Sequence, residues 1–313
     1  MKRIIITGAT SMIGIALIHS CLRNGIEKIY AIVRDNCLKI NQIPIDERIE
    51  IVFCNIDNYC VLTKLIKDNC DVFYHIAWSL TGQGRNSSIE EQVCNIKYTL
   101  DAVKVAAELG CKLFVGAGSQ AEYGLCNDNA ISPNSVANPI QAYGIAKYAA
   151  GKLSKQLSER LGMNCVWVRI FSVYGLWEKP STLIQTCIQN FRNGLVPKFT
   201  EGNQLWDYLY SEDAGEAFCK IGLCVRENKV YCLGSGKSKP LREYIETIRD
   251  VINPNLTLSF GDIPYRVDSI MNLCADISSL TYDTGWKPQT SFINGISQTY
   301  FFTNNVREKY EKN

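Results

Sequence analysis

The sequence predicts an α/β protein with a doubly wound parallel sheet. Three observations carry that prediction. Short β-branched apolar runs alternate with longer amphipathic stretches through the first half of the chain, the first run is followed at once by a glycine turn, and that turn opens into a helical pattern. Apolar runs at residues 3–7, 28–33, 49–54, 72–76, 112–117 and 165–170 read as strands. The helical stretches between them return the chain to the same end of the sheet, as parallel neighbours require.

The elements justify themselves in chain order. KRIIIT, GATSMIG and IALIHSCLRNG are strand, turn and helix, the opening of a Rossmann-type dinucleotide fold. Gly8 permits the tight turn, and Gly14 lets helix and strand approach. Thr10, Ser11, Met12 and Ile13 lie between them, where a helix N-terminus offers unpaired N–H groups and a positive dipole end to a pyrophosphate. Ser11 stands where TGxxGxxG has its middle glycine, and its hydroxyl is small enough to be accommodated and able to donate to phosphate.

The second strand ends Val33-Arg34-Asp35. An acidic residue here accepts from the ribose hydroxyls of NAD, whereas an arginine pairs with the extra phosphate of NADP. Arg34 favours NADP(H), and Asp35 keeps NAD(H) open.

Further on the chain reads GSQAEYG from Gly118, a loop, and then Tyr143-Gly-Ile-Ala-Lys147 at the start of a helical stretch. A spacing of four places the phenol and the ammonium on one helix face, one turn apart. Tyrosine titrates near pH ~10, and a nearby cation favours its phenolate. With the hydroxyl of Ser119 the set makes a proton relay. Taken alone, YxxxK is a short pattern that helices also produce by chance.

Read together, TGATSMIG, His75-Ile-Ala-Trp78, Asn95, Ser119, Tyr143 with Lys147, VRIFSVYG from Val168, WDYLYSEDAGEAF from Trp206, YCLGSG from Tyr231 and CADISSLTYDTGWKP from Cys274 resemble the landmarks of the extended short-chain dehydrogenase/reductase family, in order and spacing. The resemblance covers nearly the whole chain. It implies hydride transfer between a nicotinamide and a secondary carbinol or ketone. In that reading Tyr143 exchanges the proton, Ser119 hydrogen-bonds the substrate oxygen, Lys147 lowers the tyrosine pKa and binds the nicotinamide ribose, and Asn95 holds local backbone and water. The cofactor is placed against Gly8, Thr10 to Gly14, Arg34, Asn55, Ile56, Ile76, Ala77, Trp78, Tyr143, Lys147, Phe171 and Val173.

The same resemblance implies a nucleoside-diphosphate sugar as substrate, met by Ser119, Gln120, Tyr143 and Ser172, with Arg266 as a clamp for the diphosphate. A second phosphate arginine common in the family falls at Trp206, where either the diphosphate is held differently or a base stacks. The 4,6-dehydratases of the family carry Thr-Asp-Glu where this chain has Ser119-Gln120-Ala121, and the epimerase-reductases that make GDP-fucose place a cysteine at Ala121. Elimination and α-carbon epimerisation are both disfavoured. NADPH-dependent 4-keto reduction of a nucleotide-linked 4-keto-6-deoxyhexose is the favoured expectation, and a 4-epimerase with retained NAD is the alternative. A non-catalytic dinucleotide-binding sensor is the alternative of another class.

Composition agrees. A length of 313 residues suits about two domains. Residues 1–176 are expected to form the dinucleotide-binding domain, with 206–230 returning to it, and 177–313 mainly a smaller substrate-binding lobe. The 33 basic and 31 acidic residues give a net charge of +2, which argues against nucleic acid or an acidic membrane as partner. The 14 cysteines are scattered singly with no CxxC pair, and with two histidines they suggest reduced core thiols and no metal site. The first strand starts directly after Met1 and Lys2, and no apolar run approaches the roughly 18 residues of a membrane span, so a cytoplasmic protein without a signal peptide is expected. A homodimer paired through the helix of Tyr143 and the helix before Ser119 is the expected assembly.

Overall fold

The computed structural model describes residues 1–126, 128–266 and 269–307. The alternating pattern folds as β1 (Arg3–Thr7), α1 (Met12–Arg23), β2 (Lys28–Val33), β3 (Ile49–Phe53), a short α2 (Leu62–Leu65), β4 (Val72–His75), α3 (Ile89–Glu108), β5 (Leu113–Ser119), α4 (Ala142–Arg160) and β6 (Asn164–Ile170). The remainder comprises β7 (Ser172–Tyr174), α5 (Leu183–Arg192), β8 (Leu205–Trp206), β9 (Tyr208–Tyr210), α6 (Ser211–Cys224), β10 (Lys229–Leu233), β11 (Lys239–Pro240), α7 (Leu241–Ile252), α8 (Ser278–Thr284) and α9 (Phe292–Phe302).

The main sheet has seven strands in the order β10-β6-β5-β4-β1-β2-β3, all parallel. The doubly wound α/β prediction holds. The order reverses between β1 and β4, and the crevice beyond their carboxyl ends is where such sheets take ligands. Two corrections concern the strands. The run read as 112–117 extends to Ser119, so that residue ends β5 itself. YCLGSG, read as part of the smaller lobe, supplies β10, whose Lys229–Leu233 pair with residues 166–170 of β6.

Both sheet faces are covered. One core packs Ile4, Ile6 and Val115 against Leu17, Ile18 and Phe218 of α1 and α6, and the other packs Ile5, Phe73 and Phe114 against Val103 and Ala106 of α3. A third cluster around Tyr174, Phe191, Tyr210 and Ile245 builds the smaller lobe. Asp207, fully buried, ties that lobe down: its carboxylate accepts from the backbone N–H groups of Ser235 at 2.6 Å, Gly236 at 3.1 Å and Ala275 at 3.0 Å. Among the described residues no helix is long and apolar enough to cross a membrane. The 14 cysteines are free thiols.

Trp167 on β6 explains the glycines of two neighbouring elements. A Cβ at Gly116 would lie 2.3 Å from the indole, at Gly118 2.4 Å and at Gly151 of α4 2.7 Å. The ring therefore fills space that β5 and α4 leave open. Ala is a better helix former than Gly by about 1 kcal/mol, yet Gly151→Ala is expected to lower stability by about 1–3 kcal/mol through overpacking. Urea unfolding checks this, and a variant as stable as the parent or more so contradicts it.

Candidate active site

Gly8 sits at φ +69°, and a Cβ there would meet the backbone nitrogen of Ala77 at 2.8 Å. A Cβ at Gly14 would strike the Gly8 carbonyl at 2.2 Å, so the turn folds only with glycine at both places. Ser11 is the N-cap of α1, and its Oγ accepts from Gly14 N–H at 3.1 Å. The serine in the middle glycine's place thus closes the helix end while keeping its own proton to donate.

Two clefts meet at this turn. One, of about 600 Å³, is lined by Gly8, Thr10, Ser11, Arg34, Asn55, Ile56, Ile76, Ala77 and Trp78 among others. The other, of about 520 Å³, is lined by Thr10, Ser11, Met12, Ile13, Ile76, Trp78, Ser119, Gln120, Tyr143, Lys147, Phe171, Ser172 and Val173. The cradle fits a dinucleotide: a glycine turn with a capped helix N-terminus at the waist, a polar cleft at the carboxyl ends of β2 and β3, and the tyrosine and lysine in the second cleft. When bound, a nicotinamide supplies or accepts a hydride there.

Four residues expected at the site stand back from the cleft walls. Gly14 lies behind the turn. Asn95 is buried in α3 and clamps the loop after β4, its Oδ1 accepting from Ser79 N–H at 2.8 Å and its Nδ2 donating to the carbonyls of Ser79 at 3.0 Å and Glu91 at 2.9 Å. Trp206 donates its indole N–H to Ser172 Oγ at 2.8 Å, reaching the cleft wall only through that residue. Arg266 is exposed on a loop of the smaller lobe, outside both clefts.

The Ser119, Tyr143 and Lys147 side chains converge as the spacing suggests. Ser119 Oγ accepts from Ala121 N–H at 3.2 Å, and a Ser119–Tyr143 side-chain hydrogen bond leaves the serine proton for the phenol. Lys147, buried, donates to the Ala117 carbonyl at 2.6 Å. The electrostatics differ from the expectation that the lysine depresses the tyrosine. Burial raises the Tyr143 phenol, while the hydrogen bond to Ser119 and the charge of Arg85, whose guanidinium lies 4.5 Å from the ring centre, pull it down. Burial lowers the Lys147 ammonium to about 7, opposed by the charge of Glu122.

Glu122 does not face the cleft. Fully buried, it accepts from Ser119 N–H at 2.8 Å, Trp167 Nε1 at 2.9 Å and Arg169 Nε at 2.8 Å. The cleft also contains groups that sequence patterns did not single out. Arg85, Lys39, Lys179 and Glu178 line it, with Lys179 Nζ donating to Thr81 Oγ1 at 2.8 Å across its mouth. Burial pushes the Glu178 carboxyl up to about 7. These residues sit on loops, and only their position after β2, β4 and β7 marks them.

The doubly wound sheet, the glycine turn and the tyrosine-lysine pair define a dinucleotide-dependent oxidoreductase. Residues 4–234 match the model of the NAD dependent epimerase/dehydratase family, and the chain belongs to that family, the extended short-chain dehydrogenase/reductase group its motifs resemble. It is an NAD(P)-dependent enzyme of that family. Among its relatives is CDP-abequose synthase of Salmonella muenchen, 26% identical, with 95% of this chain and 96% of the relative covered. A putative UDP-glucose 4-epimerase of Methanocaldococcus jannaschii is 24% identical, over 94% and 96%. In fold, the chain is similar to the epimerase Mth375 of Methanothermobacter thermautotrophicus, with a TM-score of 0.87 at 21% identity over 99% of this chain and 94% of that one. It is similar too to UDP-glucuronic acid 4-epimerase from Bacillus cereus, solved with UDP-glucuronic acid and NAD, with a TM-score of 0.84 at 22% identity over 97% and 99%.

The burial of Lys147 has a thermodynamic signature. Its folded value of about 7 lies below the ordinary 10.5, so between these values the folded protein holds fewer protons than the unfolded chain and stability rises with pH. The full penalty is present below about 7. Lys147→Met removes that rise: relative to the variant, the parent gains stability from about pH 6.5 to about pH 9 in urea unfolding. A difference between the two that is flat with pH contradicts the assignment.

Proposed function

We propose that the protein reduces the C4 ketone of a nucleoside-diphosphate 4-keto-6-deoxyhexose, using NADPH, with Ser119, Tyr143 and Lys147 as the catalytic group. The observation that carries this reading is the single cleft system joining these three side chains to the glycine turn, with no free carboxylate of the Ser119–Tyr123 segment facing it, since Glu122 is turned inward onto Trp167 and Arg169. Hydride arrives at the carbonyl carbon and Tyr143 gives its proton to the carbonyl oxygen, so that the ketone gains both atoms of the carbinol. Ser119 donates a hydrogen bond to the same oxygen, and the tyrosinate left behind is reprotonated from water before the next turnover. Lys147 keeps an N–H donor for a ribose hydroxyl after bonding Ala117. The relative named CDP-abequose synthase supports a nucleotide-linked sugar.

Two features support NADPH. Arg34 is exposed at the end of β2 and lines the cleft. The Asp35 carboxylate, which would serve the ribose of NAD, accepts from Asn55 Nδ2 at 2.9 Å, and its backbone N–H donates to Asn55 Oδ1 at 3.1 Å. The second reading is a 4-epimerase with retained NAD, favoured by the relative named as a putative UDP-glucose 4-epimerase. Purified protein is expected to oxidise NADPH faster than NADH when given a CDP-, dTDP-, GDP- or UDP-linked 4-keto-6-deoxyhexose, with the preference lost in Arg34→Ala. Tyr143→Phe should lower kcat/KM by about 10²–10⁴-fold. A C4-epimerised sugar without net NADPH loss selects the epimerase, and dinucleotide binding with no turnover on any of these sugars rejects both.

We also propose that the protein is a cytoplasmic homodimer. Ile89 and Val93 of α3 and Ile145 of α4 are each at least half exposed, and with Ile96 and Ile140 they line an apolar groove of about 530 Å³ between the two helices. A second copy of the same face would bury it. Light scattering is expected to give a dimer, and Ile145→Asp a monomer; a monomeric parent at assay concentration sinks the proposal.

A further inference from the structure

We propose that Trp78 is a positioning residue for Lys147, its indole face holding the ammonium beside the Tyr143 ring at the point from which the lysine reaches a bound ribose. The inference rests on the reading of Ser119, Tyr143 and Lys147 as the catalytic group. Lys147 Nζ lies 3.6 Å from the centre of the Trp78 ring, against 5.9 Å from that of Tyr143. Of its three N–H donors one reaches the Ala117 carbonyl at 2.6 Å and one points onto the indole, which leaves one for a ligand hydroxyl in the cleft. The face of an indole is the strongest cation acceptor among the aromatic side chains, and the contact gains strength where water is excluded, as it is around this buried lysine.

Trp78 is itself held. Its Nε1–H donates to Gln92 Oε1 at 2.9 Å, and Gln92, buried in α3, donates to the Leu80 carbonyl at 3.1 Å. Among the described residues Leu80 is one of three non-glycine residues with positive φ, at 56°, so the loop is bent at the point where Gln92 grips it. The indole also meets the Tyr143 ring edge to face at 6.2 Å and 83°. One ring therefore fixes the lysine and borders the tyrosine, and it lines both clefts.

The charged groups around Lys147 cannot replace it. Glu122, from the turn after β5, favours the ammonium but is committed to Ser119, Trp167 and Arg169. His75 of β4 is fully buried and is pushed down to about 3 by burial and by Lys147 itself, so it stays neutral at working pH. Arg85, on the other side of Tyr143, is a like charge. Without an aromatic face at position 78, burial tips the lysine toward the neutral amine.

The test compares Trp78→Phe with Trp78→Leu, both apolar, of which only the first keeps a π face. The titration of Lys147, followed by NMR on carbon-13-labelled lysine, is expected to fall by about half a unit or more in the leucine variant and to recover in the phenylalanine variant. For turnover, kcat falls by about tenfold in the leucine variant with little change in the KM for the sugar, and phenylalanine restores most of it. Equal behaviour of the two variants, or an unmoved lysine titration, overturns the proposal. Should the leucine variant fail to fold, global incorporation of fluorinated tryptophan, which weakens the negative face of the ring but keeps its shape, must lower the Lys147 titration in the parent and leave it unchanged in the Trp78→Phe background; any other result overturns the proposal. The titration needs no substrate, so a parent with normal lysine behaviour and no keto-sugar reduction would reject the function above while leaving this inference decided by the NMR result alone.

Discussion

The Glu122 carboxylate, buried at the end of β5, is the interaction on which the site depends. A buried carboxylate is tolerable only when it is paired and its lone pairs are used. Here it pairs with Arg169 of β6, accepts from Trp167 of the same strand, and accepts from the backbone of Ser119. That last bond closes a capping box, with Ser119 Oγ bonded in return to the turn it begins. Ser119 is therefore oriented from below by a charge that never touches the cleft. Trp167 carries the same constraint into α4, because its ring lies against Gly116, Gly118 and Gly151 and so sets how closely the helix bearing Tyr143 and Lys147 approaches the strand bearing Ser119. Removing one partner of such a pair leaves a buried charge alone, typically a loss of about 3–5 kcal/mol, and here it would also free the serine.

The electrostatics above that foundation favour neutral forms. Burial raises the phenol of Tyr143 and lowers the ammonium of Lys147, while Ser119 and Arg85 oppose the first effect and Glu122 the second. A phenol that keeps its proton near neutral pH is the donor form required for adding a proton to a carbonyl oxygen. The surrounding cations, Arg85, Lys39 and Lys179, form no ion pair among the described residues, and burial with the charges of Lys39 and Arg85 lowers Lys179. A cleft lined this way attracts the phosphates of its ligands before any of them is positioned.

The sequence made the first half of the fold legible because each period there is unambiguous. Arg3–Thr7 and Lys28–Val33 each enclose an unbroken apolar run and are followed by turn residues, and the structure returns both spans unchanged. Tyr143 and Lys147 were equally readable, since a spacing of four on a helix fixes a face without any knowledge of tertiary packing. The seventh strand was not, because Lys229–Leu233 is only five residues long and lies among irregular segments, and nothing local tells a sheet-edge strand from a lobe strand. The far wall of the cleft was invisible for a related reason: Arg85, Glu178 and Lys179 come from loops, whose paths depend on what they pack against. Arg266 shows the converse, for a guanidinium in a loop suggested a phosphate clamp, yet it lies exposed outside both clefts.

How the smaller lobe is fastened decides where that far wall stands. Asp207 binds three backbone N–H groups from two separate segments, and Asp213 at the start of α6 accepts from the N–H groups of Gln289 at 3.2 Å and Thr290 at 2.8 Å, with its own carbonyl taking the indole N–H of Trp286 at 3.0 Å. Helix α6 in turn lies directly on α1, where a Cβ at Gly215 would collide with the backbone of Ala16 at 2.3 Å. The helix that follows the glycine turn is thus packed against the helix that anchors the C-terminal segments. Trp177, Glu178 and Lys179 follow β7, which pairs with β9 immediately before α6, so the glycine turn and the opposite cleft wall are referred to one common support. A ligand spanning the cleft meets two walls whose separation is set by backbone contacts, and the two lysines at its mouth, held on flexible stems, supply the adaptable part.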